Sequence, residues 1–231
     1  KIEYLGNIIS ETGVGVSDKG VLAIQNLPPP TNLQELQAFM GKVTYYIKYI
    51  KDFSTVSEPL NELRRKNVPF HWGNRQEQAF RNLKQQLVTT TQLSHFNDDL
   101  PLVLATDASS YGIGAVLSHI YPDGTERPIA HASKTLNKHQ KNYSQIEKEG
   151  LGIVFGIKKF HEYLYGKPFL LITDHKPLVS IFNPSKSIPI YTAHRLQRWA
   201  IFLSSYRFEI KYNSLASKCR CSFSLTNINF R

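Results

Sequence analysis

Two aspartates occupy the same kind of place in this 231-residue chain. Asp107 follows the apolar run Leu102-Val103-Leu104-Ala105. Small residues and glycines come next, from Ser109 to Gly114, and then a second apolar run, Ala115-Val116-Leu117. This reads as a buried strand that delivers one carboxylate, a tight turn and an adjacent strand. Asp174 repeats the pattern just past the apolar strand Phe169-Leu170-Leu171-Ile172-Thr173. His175, Lys176 and Pro177 follow, and proline suits the first turn of a helix. If the two strands are parallel neighbours, their carboxylates lie side by side and repel unless a cation or a proton sits between them. An acid at the end of an apolar strand is costly without such compensation. An Asp that merely caps its turn is an equally ordinary reason for Asp107.

A third acid comes from the helical pattern over 144–164, whose buried face is traced by Ile146, Gly150, Ile153, Ile157, Phe160 and Leu164. Glu147 and Glu149 flank that stripe on opposite sides, and periodicity does not choose between them. Capping does: Ser144 and Glu147 fit the S-x-x-E box, which gives Glu147 a structural task and leaves Glu149 without one. Asp107, Glu149 and Asp174, with no partnering His or Cys, point to hard oxygen ligation of magnesium or manganese. Two such ions about 3.5–4 Å apart support in-line attack of water on a phosphodiester, one activating the water and the other stabilising the leaving oxygen. The rival chemistry of a Ser/His/Asp triad lacks its G-x-S-x-G elbow here, and the eight histidines show no H-E-x-x-H spacing.

The elements that must position these acids change character along the chain. Up to about residue 95 the pattern is mainly helical. A strand with a glycine break is expected over 2–9 and a loop over 10–20. Pro28-Pro29-Pro30 stops any helix begun at Gly20. Thr31 then opens a helix with Gln34 as capping partner and Leu33, Leu36, Met40 and Val43 as its apolar stripe. A further helix is expected over 75–88. Tyr45, Tyr46, Tyr49 and Phe53 alternate with Lys42, Lys48 and Lys51, a pattern that fits nucleic-acid stacking and, more commonly, core packing. From 100 onward, strands at 101–107, 113–120, 127–133, 168–173 and 207–212 alternate with helices at 144–164, 177–182 and 193–205. That order predicts an α/β sandwich on a mixed sheet.

Composition sets outer bounds. A hydrophobic content of 41% supports a packed core. The net charge of +10 is uneven, +3 over residues 1–95 and +7 over 96–231, which suits a polyanionic partner such as nucleic acid. Cys219 and Cys221 form neither a zinc pattern nor a disulfide framework. No apolar run reaches membrane-spanning length and no signal peptide is visible, so the expectation is an intracellular protein with no membrane partner. A first residue of Lys within a strand-like opening reads as a piece of a longer chain.

The stretch A-T-D-A-S-S-Y-G-I-G-A-V-L, then N-Y-S-x-I-E-K-E, Y-L-Y-G-K-P-F, T-D-H-K-P-L and R-L-Q-R-W at 195–199, resembles the RNase H domain of gypsy-type LTR retrotransposon polyproteins. Upstream, Y-L-G-N-I-I-S resembles the end of a reverse transcriptase palm. P-P-P-T-N-L-Q-E-L-Q-A-F-M-G and Y-Y-I-K-Y-I-K-D-F-S resemble its thumb and connection. The resemblance covers about residues 2–212. It implies an RNase H-like fold, a five-stranded mixed sheet with flanking helices, that cleaves the RNA strand of RNA–DNA hybrids with two magnesium or manganese ions. It also implies catalytic and metal-holding roles for Asp107, Glu149 and Asp174, with the rest of the polyprotein as partner. On it, residues 1–95 are the end of palm, thumb and connection, 96–213 the RNase H-like domain and 214–231 a divergent tail.

Two departures matter. The polymerase motif Y-x-D-D is absent, so this stretch alone is not expected to synthesise DNA. Where the family ends in a segment like N-A-D-A-L-S-R, whose Asp is a fourth metal-site acid, this chain reads Lys218-Cys-Arg-Cys-Ser-Phe-Ser-Leu225. One codon choice for residues 218–225 (AAA TGC AGA TGC TCT TTC TCG TTG), read one nucleotide later, spells that family segment. The expectation is therefore a frameshift near residue 218, with divergence as the alternative and the coding DNA as the test. Losing one of four acids is expected to weaken the site and leave cleavage low, lost or dependent on manganese; the rival outcome is an inactive relic that at most binds nucleic acid. Candidate contacts to the nucleic acid are Ser109, Tyr111, His175, Arg195 and Arg198. Turn formation competes as the reason for Ser109 and His175, and a solvated helix face for the arginines.

Overall fold

The computed structural model describes residues 1–89, 92–184 and 193–213. The chain opens on an antiparallel meander of β1 (Ile2–Tyr4), β2 (Asn7–Ser10) and β3 (Gly13–Val16). Helices α1 (Asp18–Gln25), α2 (Leu33–Tyr45), α3 (Phe53–Val56), α4 (Glu58–Leu63) and α5 (Asn74–Thr89) follow, with a 3-10 turn at Ile47–Tyr49. The second half runs β4 (Leu102–Ala108), β5 (Gly112–Ile120), β6 (Glu126–Thr135), α6 (Lys138–Lys141), α7 (Gln145–Lys159), α8 (His161–Leu164), β7 (Pro168–Thr173), α9 (Lys176–Ile181), α10 (His194–Leu203) and β8 (Arg207–Tyr212).

The sheet order is β6-β5-β4-β7-β8, antiparallel across β6, β5 and β4 and parallel across β4, β7 and β8. This is the expected five-stranded mixed sheet with flanking helices. Strands β4 and β7 lie at its centre, and their runs Leu102–Ala105 and Phe169–Ile172 are apolar and buried because both faces are covered. Leu104, Ala115 and Leu117 pack with Ile153 and Ile157 of α7, while Val103, Ala105, Leu170 and Ile172 form a second cluster. Helix α7 sits close to the sheet because Gly156 has no side chain: a Cβ there would lie 3.1 Å from both Ala115 Cβ and Thr106 Cγ2. A separate core in the first half gathers Leu36, Phe39, Met40, Val43, Leu60, Phe80 and Leu83.

Several local expectations are corrected. Residues 2–9 form a two-stranded hairpin rather than one broken strand, because Leu5 and Gly6 both adopt positive φ and turn the chain. The expected loop over 10–20 holds β3 and the start of α1, which Ser17 caps by accepting from Gly20 N at 3.1 Å. The cap of α2 is Asn32 rather than Thr31. Asn32 Oδ1 accepts from Glu35 N at 2.9 Å, and Glu35, not Gln34, returns the bond, to Thr31 N at 2.8 Å. Helix 144–164 breaks at Phe160, whose ψ of 24° leaves the helical range. Tyr46, Tyr49 and Phe53 are core residues, whereas Tyr45 is exposed.

The first half docks on the sheet through α3. Ser54 N and Oγ each lie 3.1 Å from Ser133 Oγ on β6, and Thr55 Oγ1 is 2.8 Å from Ser109 Oγ beside the β4–β5 turn. A Cβ on Gly112 would meet Ser54 Cβ at 2.8 Å and Lys134 O at 3.1 Å. Gly112→Ala is therefore expected to lose about 1–3 kcal/mol in denaturant unfolding. Gly41→Ala, where a Cβ meets nothing within 4 Å on a helix, is expected to gain up to ~1 kcal/mol. Equal effects of the two substitutions would show that the docking is not tight.

Candidate metal centre

Asp107 and Asp174 are brought together by strand register. Ala105 pairs with Ile172 in the parallel β4–β7 ladder, and each aspartate follows two residues later. Glu149 reaches them from the first turns of α7. Ser144 opens that helix, and Glu147 accepts from Ser144 N at 3.1 Å and Ser144 Oγ at 2.9 Å, completing the capping box. Glu147 is further paired with Arg195 of α10. With Glu147 held at the helix end, Glu149 faces inward at 3% exposure. Asp107, Glu149 and Asp174 each offer a carboxylate oxygen, all within 4.8 Å of one another.

The electrostatics follow from this crowding. Burial, then the charges of Asp174 and Asp107, push the Glu149 carboxyl up to about 8. Burial and then Asp107 also raise Asp174. Asp52, next to α3, is raised by burial; Lys51 opposes that shift and Asp107 adds to it. For Glu147, burial is outweighed by the Ser144 hydrogen bonds and the Arg195 charge, and its carboxyl is lowered.

Glu149 is oriented by Gln145, one helical turn earlier. Gln145 Nε2 donates to Glu149 Oε1 at 2.6 Å and to Ala108 O on β4 at 3.3 Å, so one amide ties the helix to the strand that carries Asp107. Glu149 Oε2 is buried without a hydrogen-bond partner. A buried carboxylate oxygen with no donor, among two other carboxylates, is a ligand set that suits a hard divalent cation. Sequence reasoning missed Gln145, although its i, i+4 spacing to Glu149 is a visible signal.

The other candidate residues have diverse surroundings. Ser109 Oγ accepts from Gly112 N at 3.0 Å and Tyr111 N at 3.2 Å, shaping the turn, besides meeting Thr55. Tyr111 is exposed, with the Lys141 ammonium 5.4 Å from its ring centroid. His175 N donates to Thr173 Oγ1 at 3.2 Å, and its Nδ1 is buried without a partner. Arg195 is committed to Glu147 and lies over the Tyr143 ring at 3.9 Å; Arg198 is exposed on α10. The substituted ending at 218–225 lies outside the described residues. No helix among the described residues is long and apolar enough to cross a membrane.

The sheet order and the carboxylate trio together define an RNase H-like fold. Residues 72–171 match the RNase H-like domain found in reverse transcriptase, a segment that includes Asp107 and Glu149 and stops just short of Asp174. The chain thus carries a domain of the reverse-transcriptase RNase H-like family. Over 215 residues, 92% of its length, it is 36% identical to the transposon Tf2-3 and Tf2-4 polyproteins of Schizosaccharomyces pombe, and it spans 16% of each. The foamy viral protease-reverse transcriptase dRH in complex with double-stranded DNA superposes with a TM-score of 0.73 at 22% identity, over 92% of this chain and 37% of that one. The foamy viral protease-reverse transcriptase in complex with an RNA/DNA hybrid gives 0.70 at 20% identity, over 100% and 32%. These structures share the fold.

Proposed function

We propose that this chain is the metal-dependent RNase H part of a retrotransposon reverse transcriptase, hydrolysing the RNA strand of RNA–DNA hybrids. The observation that carries the reading is the buried, donorless Glu149 Oε2 among carboxylates within 4.8 Å. Residues 96–213 form the RNase H-like domain and residues 1–95 the end of palm, thumb and connection. Asp107, Glu149 and Asp174 would hold magnesium or manganese, which when bound supplies Lewis-acid activation of water and stabilises charge on the phosphodiester. Gln145 keeps one Glu149 oxygen occupied and presents the other. The apolar core behind the trio lowers the local dielectric and strengthens its hold on cations. Tyr111 and Arg198 are exposed and would meet the hybrid backbone, with Ser109 and His175 shaping the turns beside it.

The test is a labelled RNA–DNA hybrid incubated with the chain in magnesium or in manganese, with Asp107→Asn as control. The expected result is RNA-strand cleavage, stronger in manganese and absent in the variant. Hybrid binding with no cleavage in either ion would support the inactive relic, the reading favoured by the acid-free ending Lys218–Leu225.

A further inference from the structure

The first half of the chain sends one carboxylate onto the strand beside Asp107, outside the group of three whose oxygens lie within 4.8 Å of one another. Asp52 precedes α3 at its N-cap position, yet its side chain makes no capping bond. Its backbone is left-handed, with φ 51° and ψ 34°. The carboxylate instead lies over Gly114 of β5, where a Cβ on that glycine would sit 2.5 Å from Asp52 Oδ1. Gly114 is directly opposite Asp107 in the antiparallel β4–β5 ladder. Side chains at opposed positions share a face, with Cβ atoms about 4.5–5.5 Å apart. Across that face the order is therefore Asp52 above Gly114, then Asp107, then Asp174 beyond the end of β7. The missing Cβ of Gly114 is the notch that admits the Asp52 carboxylate.

We infer that Asp52 is a further acid of the metal centre, holding a divalent cation or its bound water on the flank of Asp107 away from Asp174. The inference rests on the metal-site reading of the trio. It makes the centre a joint product of the two halves of the chain: the hydroxyl contacts of Ser54 and Thr55 with Ser133 and Ser109 fix the segment that carries Asp52. A carboxylate that merely ended a turn would accept from the backbone of α3, and Asp52 does not.

The test is calorimetric titration of the metal-stripped full chain with Mn2+, alongside thermal unfolding in EDTA. Asp52→Asn removes the charge and keeps a residue that adopts the left-handed region readily. The expected result is a loss of Mn2+ affinity of about tenfold, the lower end of what supporting groups around a metal contribute, with an unfolding midpoint in EDTA no lower than that of the parent. Unchanged affinity would overturn the inference. So would a lowered EDTA midpoint with unchanged affinity, which marks a purely structural residue. Asp107→Asn separates the two levels: if that variant binds Mn2+ like the parent, or the parent binds none, the trio itself is not a metal site.

Discussion

Asp107→Asn is expected to remove Mn2+ binding and to reduce hybrid cleavage by at least about a thousandfold, the equivalent of ~4 kcal/mol of transition-state stabilisation. The physical reason is position. Asp107 stands between Asp174 and Asp52 on one face of the sheet, and its charge acts on Asp52, Glu149 and Asp174 alike. The same substitution is expected to stabilise the metal-free protein by about 1–3 kcal/mol, because it relieves repulsion among carboxylates within 4.8 Å. Opposite signs for function and stability are the signature of a site held together by a cation. Thermal unfolding in EDTA and in Mn2+ would show it as a raised midpoint in the first and a lost metal-dependent rise in the second. A variant less stable in both conditions would identify Asp107 as an ordinary turn residue.

Glu149 predicts an unusual pH dependence. Its carboxyl lies at about 8 in the folded chain, against an ordinary 4.5. Below 4.5 both folded and unfolded states hold the proton, and the contribution is fully present. Between 4.5 and about 8 the unfolded state has released the proton and the folded state has not, so stability falls as pH rises. The total is about 5 kcal/mol at ~1.4 kcal/mol per unit, lost by the time pH passes the folded value. Cation binding runs the other way, since it requires the ionised carboxylate, and Mn2+ affinity is expected to climb steeply up to about pH 8. Glu149→Gln is expected to flatten the metal-free stability profile over this window and abolish the climb. Parallel profiles for parent and variant would sink the assignment of Glu149.

Much of the site was legible because its signals are local. The apolar runs ending at Asp107 and Asp174 mark strand ends, and their register is what two equivalent runs produce in parallel pairing. The Ser144–Glu147 box separated two glutamates that periodicity left equal, and the structure shows Glu147 engaged at the helix end and Glu149 buried. The same kind of local reasoning slipped where alternatives differ by one residue. Asn32 outcompeted its neighbour Thr31 for the cap, and the glycine break became a hairpin turn because Leu5 and Gly6 both adopt positive φ.

The sequence by itself determined which acids stand at strand ends, which glutamate was free, and that a mixed sheet carries them, because these are properties of a few adjacent residues and their periodicity. Tertiary structure alone decided that Arg195 is spent on Glu147, that Ser109 joins the two halves through Thr55, and that Asp52 arrives over Gly114. Those pairs lie 48, 54 and 62 residues apart, and only the docking of one packed core on another brings them into contact.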